Sequence, residues 1–198
     1  YFKELKIALS EARESIDQEI FSFYDGETTR EIARLMLLKA MGLREQRPGY
    51  LEVDLFAPNG ARVFLLHNHK YSQKGADHVA QIFTQVRQEI FAELEAAEQS
   101  LEIYQKRLEN QFQIAHLSQG VMKTDHRKML VIDGQTAYVG GLNMADHYLS
   151  SDGFHDLMIR VQGPAVRAMH DEFIENWQQI KPEASVRWNH KRPDILKT

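Results

Sequence analysis

Helices on both faces of a central sheet, a three-layer α/β/α domain with a mixed, largely parallel sheet, is the fold that three stretches of this sequence predict. Two apolar strand-like runs, Ile16 to Tyr24 and Ala61 to Leu66, flank a helical pattern, and strand, helix, strand at this spacing makes a parallel βαβ unit. The run Met129-Leu130-Val131-Ile132 is apolar on both of its faces, as a strand covered on two sides must be. A closing stripe of Val166, Met169, Phe173, Ile174 and Trp177 follows Pro164, a residue suited to a helical first turn. At 198 residues the chain is long enough to bury one full core.

The elements follow in order. Phe2, Leu5, Ile7, Ala8 and Ala12 give Phe2 to Glu14 the spacing of an amphipathic helix. The strand from Ile16 to Tyr24 holds Ile20, Phe21 and Phe23, and Asp25 then precedes a helix that starts near Glu27 and stops at Gly42. Two prolines and two glycines break up residues 43–60, with a short strand expected at Leu51 to Phe56. From Gly75 to Ile114 one apolar stripe persists: Val79, Ile82, Phe83, Val86, Ile90, Leu94, Ala97, Leu101, Tyr104, Leu108 and Phe112. It predicts a long inserted helix, or a helical hairpin breaking near Glu98-Gln99-Ser100, packed on its own domain or on a partner. Its mixed polar face, with Glu89, Glu93, Glu95 and Glu98, argues against anionic lipid as its partner. Thr136 to Val139 returns antiparallel to 129–132, and Phe154 to Val161 is another strand. Residues 1–180 are expected to form one domain with the 75–114 stretch as its helical insertion, and residues 181–198 a linker or tail. A helical pattern already under way at Tyr1 and a patternless end around Trp188 are those of a segment from a longer protein.

Composition excludes several classes. Hydrophobic residues make up 43 % and charged residues 26 %, ordinary for a globular domain. The net charge of -4 gives no global basic footprint for nucleic acid. Without cysteine there are no disulfides and no thiolate chemistry. No apolar stretch reaches the length of a transmembrane helix and no signal peptide is visible.

The chemistry concentrates in Asp125 to Tyr148, DHRKMLVIDGQTAYVGGLNMADHY. Residues two apart on a strand share a face, so His126 and Lys128 point one way and Arg127 the other. A two-residue turn, Asp133-Gly134 or Gly134-Gln135, pairs odd positions with even ones and puts Gly141 and Asn143 on the face of His126 and Lys128; an odd-length turn would not. Such a face suits a phosphodiester: an imidazole nucleophile, a compact ammonium, amide donors from Asn143, and close approach to backbone N–H groups at Gly140 and Gly141. Asp133 has the other parity and is assigned to the scaffold, holding the turn or a neighbouring basic group. A histidine nucleophile needs an orienting acid. Asp156 is the first choice, with Asp152 and Asp146 as alternatives. His67-Asn68-His69-Lys70, just past a strand, reads as a solvated loop that borders the site, and metal binding there lacks a matching acid cluster.

The spacing of His126, Lys128 and Asp133, followed by Gly140-Gly141-Leu142-Asn143, resembles the HxKxxxxD signature and trailing GG/GSxN of the phospholipase D superfamily. The run FHDLMIRVQGPAV, ending in Gly163-Pro164-Ala165-Val166, is similar to the cardiolipin synthase branch, in which glycine also replaces the serine of other members at the place of Gly141. The resemblance implies metal-free, cofactor-free transfer at phosphorus through a phosphohistidine, acting on phospholipids by hydrolysis or phosphatidyl transfer. His126 would be the nucleophile or the general acid, Lys128, Gly141 and Asn143 would bind phosphate, Asp156 would orient, and Asp133 and Gly140 would be structural. It implies a bacterial protein, cytoplasmic or peripherally membrane-associated. One motif is only half a site, because His147, His155 and His190 lack the flanking lysine and asparagine. The second is expected from the same longer chain or from a homodimer mate. A homodimeric nuclease of the superfamily and a non-catalytic supporting half are the alternatives.

Overall fold

The structure, a computed structural model, describes residues 1–68, 76–117, 125–149 and 153–181. Helix α1 (Phe2–Glu11) is shorter than the expected Phe2 to Glu14; it buries Phe2 and Leu5 as its spacing predicts, but Leu9 joins them and Ile7 is exposed. Strand β1 (Ser15–Ile20) is buried along its whole length. Helix α2 (Glu27–Met41) begins where Asp146, far away in sequence, accepts the N–H groups of Glu27 and Thr28 at 2.7 and 3.1 Å. It ends at Gly42, whose φ of 73° is the left-handed C-terminal stop expected of glycine. Strand β4 (Arg62–Asn68) then pairs parallel to β1, completing the βαβ unit.

Between α2 and β4 the chain makes a hairpin apart from the main sheet, β2 (Leu43–Arg47) with β3 (Tyr50–Val53). Only a strand near β3 was readable, because Leu43 is the sole apolar residue of β2. Cross-links hold the hairpin instead: Arg34 to Glu45, and Lys39 to Asp54 just beyond β3. Lys39 and Asp54 are both buried, and Lys39 also donates to the Ser10 carbonyl at 2.8 Å. Burial alone would push the Asp54 carboxyl up, but the Lys39 ammonium and the Phe56 N–H more than offset it and hold it below its usual range.

The 75–114 stretch is two helices, α3 (Ala76–Ala96) and α4 (Leu101–Gln111), broken around Glu98, which takes a φ of 56°. The hairpin form of the expectation therefore holds, and both helices pack on α2 rather than projecting outward. One correction is needed at its end. Phe112–Leu117 is β5, parallel to β4, not a last helical turn. Phe112 and Ile114 fit a step of two as well as the end of a helical stripe, and pairing with the open edge of β4 decides between them. The stretch is thus the crossover that joins two parallel strands.

Strands β6 (Met129–Ile132), β7 (Thr136–Gly140) and β8 (Met158–Gln162) complete a six-stranded sheet in the order β5-β4-β1-β6-β7-β8. The sheet is mixed, as expected, but "largely parallel" holds only for its β5-β4-β1 side. The β1-β6, β6-β7 and β7-β8 pairs are antiparallel. A turn as short as that between β6 and β7 permits no other pairing. Helices α1 to α4 cover one face of the sheet, and α5 (Ala165–Ile180) covers the other, where Val166, Phe173 and Trp177 meet Phe64, Leu66, Met129 and Val131. The Trp177 and Phe64 rings stack at 4.4 Å. Among the described residues no helix is long and apolar enough to cross a membrane.

Replacing Lys39 with Met strands a buried Asp54 carboxylate. We expect a loss of roughly 3–5 kcal/mol in urea denaturation at neutral pH, most of it restored by a Lys39→Met/Asp54→Leu double variant.

Candidate active site

The candidate site lies where β1 ends and β6 begins. The antiparallel register of these two strands, Glu19 opposite Met129, brings the residues after Ile20 alongside those before Met129. Lys128 is buried at 7 % exposure, while His126 is exposed. The Lys128 Nζ donates to the His126 carbonyl at 2.7 Å and stands 3.5 Å from the His126 Nδ1. Phe21, one residue past β1, stacks on the imidazole with ring centroids 3.7 Å apart and planes at 28°. The Lys128 Nζ sits 4.6 Å from the same Phe21 centroid. Burial lowers the Lys128 pKa, against the pull of the Asp156 and Asp125 carboxylates.

On the other face, Arg127 is surrounded by acids. It bonds Asp125 and Glu172, and its Nε is 3.5 Å from the Glu19 Oε1. Glu19 is 1 % exposed and also accepts from the Asn176 amide at 3.2 Å. Burial, and then the nearby Asp125 charge, push its pKa up to about 7, although Arg127 pulls the other way. Asp125 goes down instead: its burial is outweighed by its bonds to Arg127.

The parity expectation is corrected. The β6-β7 turn is Asp133-Gly134-Gln135, three residues long, with Ile132 opposite Thr136. Equal parities therefore pair, and the face shared with Lys128 passes to Gly140 and Leu142 rather than to Gly141 and Asn143. Asp133 and Gly134 both have positive φ, 53° and 63°, a pairing that Asp-Gly accommodates. The Asp133 carboxylate accepts the backbone N–H groups of Arg13, Glu14 and Ser15 at 2.8–3.1 Å, so it grips main chain, not a basic side chain.

The glycines serve packing. The Gly140 N–H goes to the Lys128 carbonyl and the Gly141 N–H to that of Leu157, which leaves neither to cradle a phosphate as expected. A Cβ at Gly140 would collide with the Leu157 carbonyl, and one at Gly141 with the Asp156 carboxylate. Asp156 is exposed, accepts the Leu157 N–H at 2.8 Å and stands ahead of β8 rather than inside it. Its charge reaches Lys128; among the described residues no carboxylate is bonded to the His126 ring. Asn143 fixes its carbonyl on the Ser22 N–H at 3.1 Å and turns its Nδ2 to the Tyr148 hydroxyl at 3.3 Å. Asp146 caps α2, and Asp152 lies outside the described residues.

His67 and Asn68 are the buried end of β4, not a solvated loop, because the strand runs on beside β1 and β5. His67 faces His116 of β5, which sequence reasoning did not single out, with rings 6.2 Å apart. His69 and Lys70 lie outside the described residues. Among the described residues no three His, Asp or Glu side chains gather as a metal site. Phe21, Glu19 and Arg127 were also missed as site residues. The alternation of acids through β1, Asp17 and Glu19, was the available signal, since a central strand carries buried charge only where something pairs with it.

A phospholipase D-like fold is the class these elements define. Nuc of Salmonella typhimurium, a phospholipase D family member, matches with a TM-score of 0.53 and 12% identity, covering 90% of this chain and 87% of that one. NucT of Helicobacter pylori matches with a TM-score of 0.50 and 13% identity, over 90% and 87%. The family model for the cardiolipin synthase, PLD-like domain matches residues 51–177, and the chain belongs to that family. Major cardiolipin synthase ClsA of Bacillus subtilis is 40% identical over 72 residues, 33% of this chain and 15% of the relative. Cardiolipin synthase A of Pseudomonas entomophila is 23% identical over 180 residues, 89% of this chain and 31% of the relative. These matches take in less than a third of each relative's length.

A raised Glu19 pKa means that the folded state holds a proton the unfolded chain has released, so stability falls as pH climbs from about 4.5 to about 7. Glu19→Gln removes that penalty. We expect the variant to exceed the parent by on the order of 2–3 kcal/mol at pH 8, with the gain vanishing near pH 4.5, in urea denaturation across that range.

Proposed function

We propose that residues 1–180 form one catalytic lobe of a phosphodiester hydrolase or phosphatidyltransferase that acts on phospholipids through a phosphohistidine at His126. The observation that carries this reading is the pairing of an exposed imidazole with a buried ammonium 3.5 Å from its Nδ1. An exposed imidazole can reach phosphorus, and a lysine held beside it supplies positive charge to the non-bridging oxygens as they gain charge. A ring nitrogen of His126 attacks phosphorus and the P–O bond to the leaving alcohol breaks. The proton for that alcohol comes from the histidine of a second motif. Water or an acceptor alcohol then attacks phosphorus, gives its proton back to that second histidine, and frees His126.

Asn143 is assigned the second contact to the phosphate. Its carbonyl is tied to the N–H of Ser22, next in the chain to Phe21, which is stacked on His126; that shared segment is what supports the assignment. Asp156, expected to orient His126, is assigned instead to balancing the charge of Lys128, since its charge already acts on that lysine. Gly140 and Asp133 stay with the scaffold, and Gly141, which the sequence assigned to phosphate binding, joins them because its N–H is spent on the Leu157 carbonyl. The second motif comes from further along the same chain or from a second copy. The net charge of -4 favours a lipid over a nucleic acid as the source of the phosphodiester, with contact at a membrane surface as the way to reach it.

The test is to incubate the full protein that carries this chain with radiolabelled phosphatidylglycerol, phosphatidylcholine or single-stranded DNA. Cleavage or exchange of a phospholipid, with an acid-labile phosphate on His126, is the expected result. His126→Ala should lose at least about a thousandfold in kcat. A His126→Ala variant with full activity rejects the nucleophile; cleavage of DNA alone rejects the substrate class.

A further inference from the structure

We propose that Phe21 is a positioning residue for the catalytic pair, its ring setting both the plane of the His126 imidazole and the seat of the Lys128 ammonium; this rests on the reading of His126 as the attacking group. His126 precedes the first residue of β6, so no rung of the sheet fixes its backbone. Its ring must be held by side chains. Among the described residues those are Phe21, face to face at 3.7 Å, and the Lys128 Nζ at 3.5 Å. An acid was expected to orient this histidine, and an aromatic face occupies that role.

The choice has a chemical logic. A carboxylate would engage a ring nitrogen, whereas a stacked ring touches the imidazole through its face and leaves unobstructed the ring plane, in which the lone pair of the unprotonated nitrogen lies. The same π face attracts the ammonium of Lys128, 4.6 Å from its centroid. One side chain thus sets the distance between nucleophile and phosphate clamp. Phe21 is itself well fixed. It is 8 % exposed, it follows the buried end of β1, and the next residue, Ser22, donates its N–H to Asn143. An aliphatic residue of similar bulk would fill the space, but it presents neither a flat face to the imidazole nor a negative one to the ammonium.

The experiment compares the full protein with Phe21→Leu and Phe21→Tyr. The first readout needs no substrate. The ring protons of His126, identified by their disappearance in His126→Gln, should resonate upfield in the parent from the Phe21 ring current. They should lose that shift in Phe21→Leu and keep it in Phe21→Tyr. In turnover, Phe21→Leu should lower kcat by about 10–100-fold with KM within about twofold, and Phe21→Tyr should restore most of it. Thermal unfolding separates packing from positioning, because a purely structural role would lower Tm in both variants and leave the kcat of the folded fraction unchanged. His126 resonances that do not move in Phe21→Leu, or a kcat that stays within about twofold of the parent, overturn the proposal. An active His126→Ala overturns the functional reading instead, whichever way the resonances fall.

Discussion

The grip of one carboxylate on three consecutive backbone amides sets the geometry of everything around it. Asp133 accepts from Arg13, Glu14 and Ser15 and returns its own N–H to the Ser15 carbonyl at 2.9 Å. This joins the start of β1 to the turn between β6 and β7, across more than a hundred residues. With that end clamped, the antiparallel β1-β6 register is fixed, and a fixed register carries Phe21 to His126 at the far end of both strands. The turn needs aspartate twice over: for its carboxylate, and for its tolerance of the left-handed backbone at φ 53°. A residue that looks like a catalytic acid in a linear motif acts on the site only through strand register.

The entry to β6 then divides charge between two environments. Lys128 turns to the His126 ring, where burial weakens its hold on the proton and the Asp156 and Asp125 charges restore part of it. Arg127, one residue earlier, turns under α5 into three carboxylates, from Asp125, Glu19 and Glu172. One guanidinium does not neutralise three acids. The most buried of them, Glu19, therefore keeps a proton up to about pH 7, while Asp125, bonded directly to the guanidinium, stays ionised. The choice follows desolvation: the acid with least access to water is the cheapest to leave neutral. The backbone between His126 and Lys128 is thereby anchored through Arg127, on the side away from the Lys128 ammonium.

Period alone made much of this legible. The α2 stop at Gly42, the βαβ unit, the α5 stripe and the apolar β6 all follow from local spacing, and so did the break near Glu98. Most of the misses share a cause: they depend on a partner outside the segment itself. Phe112 and Ile114 satisfy two periods, and only the free edge of β4 selects the strand. Strand β2 has one apolar residue and is held by ion pairs. The facing of Gly141 and Asn143 turned on a single residue of loop length, since Asp-Gly-Gln can close a turn of two or of three. Glu19 and Phe21 gain their meaning from β6, which lies more than a hundred residues away.

The glycine pair shows how far a motif's chemistry can differ from its first reading. In a phosphate site, Gly-Gly suggests exposed amides and room for a ligand. Here both amides are spent on neighbouring backbone carbonyls, and the room is taken by the protein itself: the Leu157 carbonyl against Gly140 and the Asp156 carboxylate against Gly141. Any side chain at 141 would have to push that carboxylate away, and with it the negative charge that favours the Lys128 cation. Gly141 therefore acts on the ammonium at second hand, through the approach it grants to Asp156. Residues 128, 141 and 156 form one electrostatic unit although they stand on three different segments, which gives a physical reason for glycine rather than serine at this position.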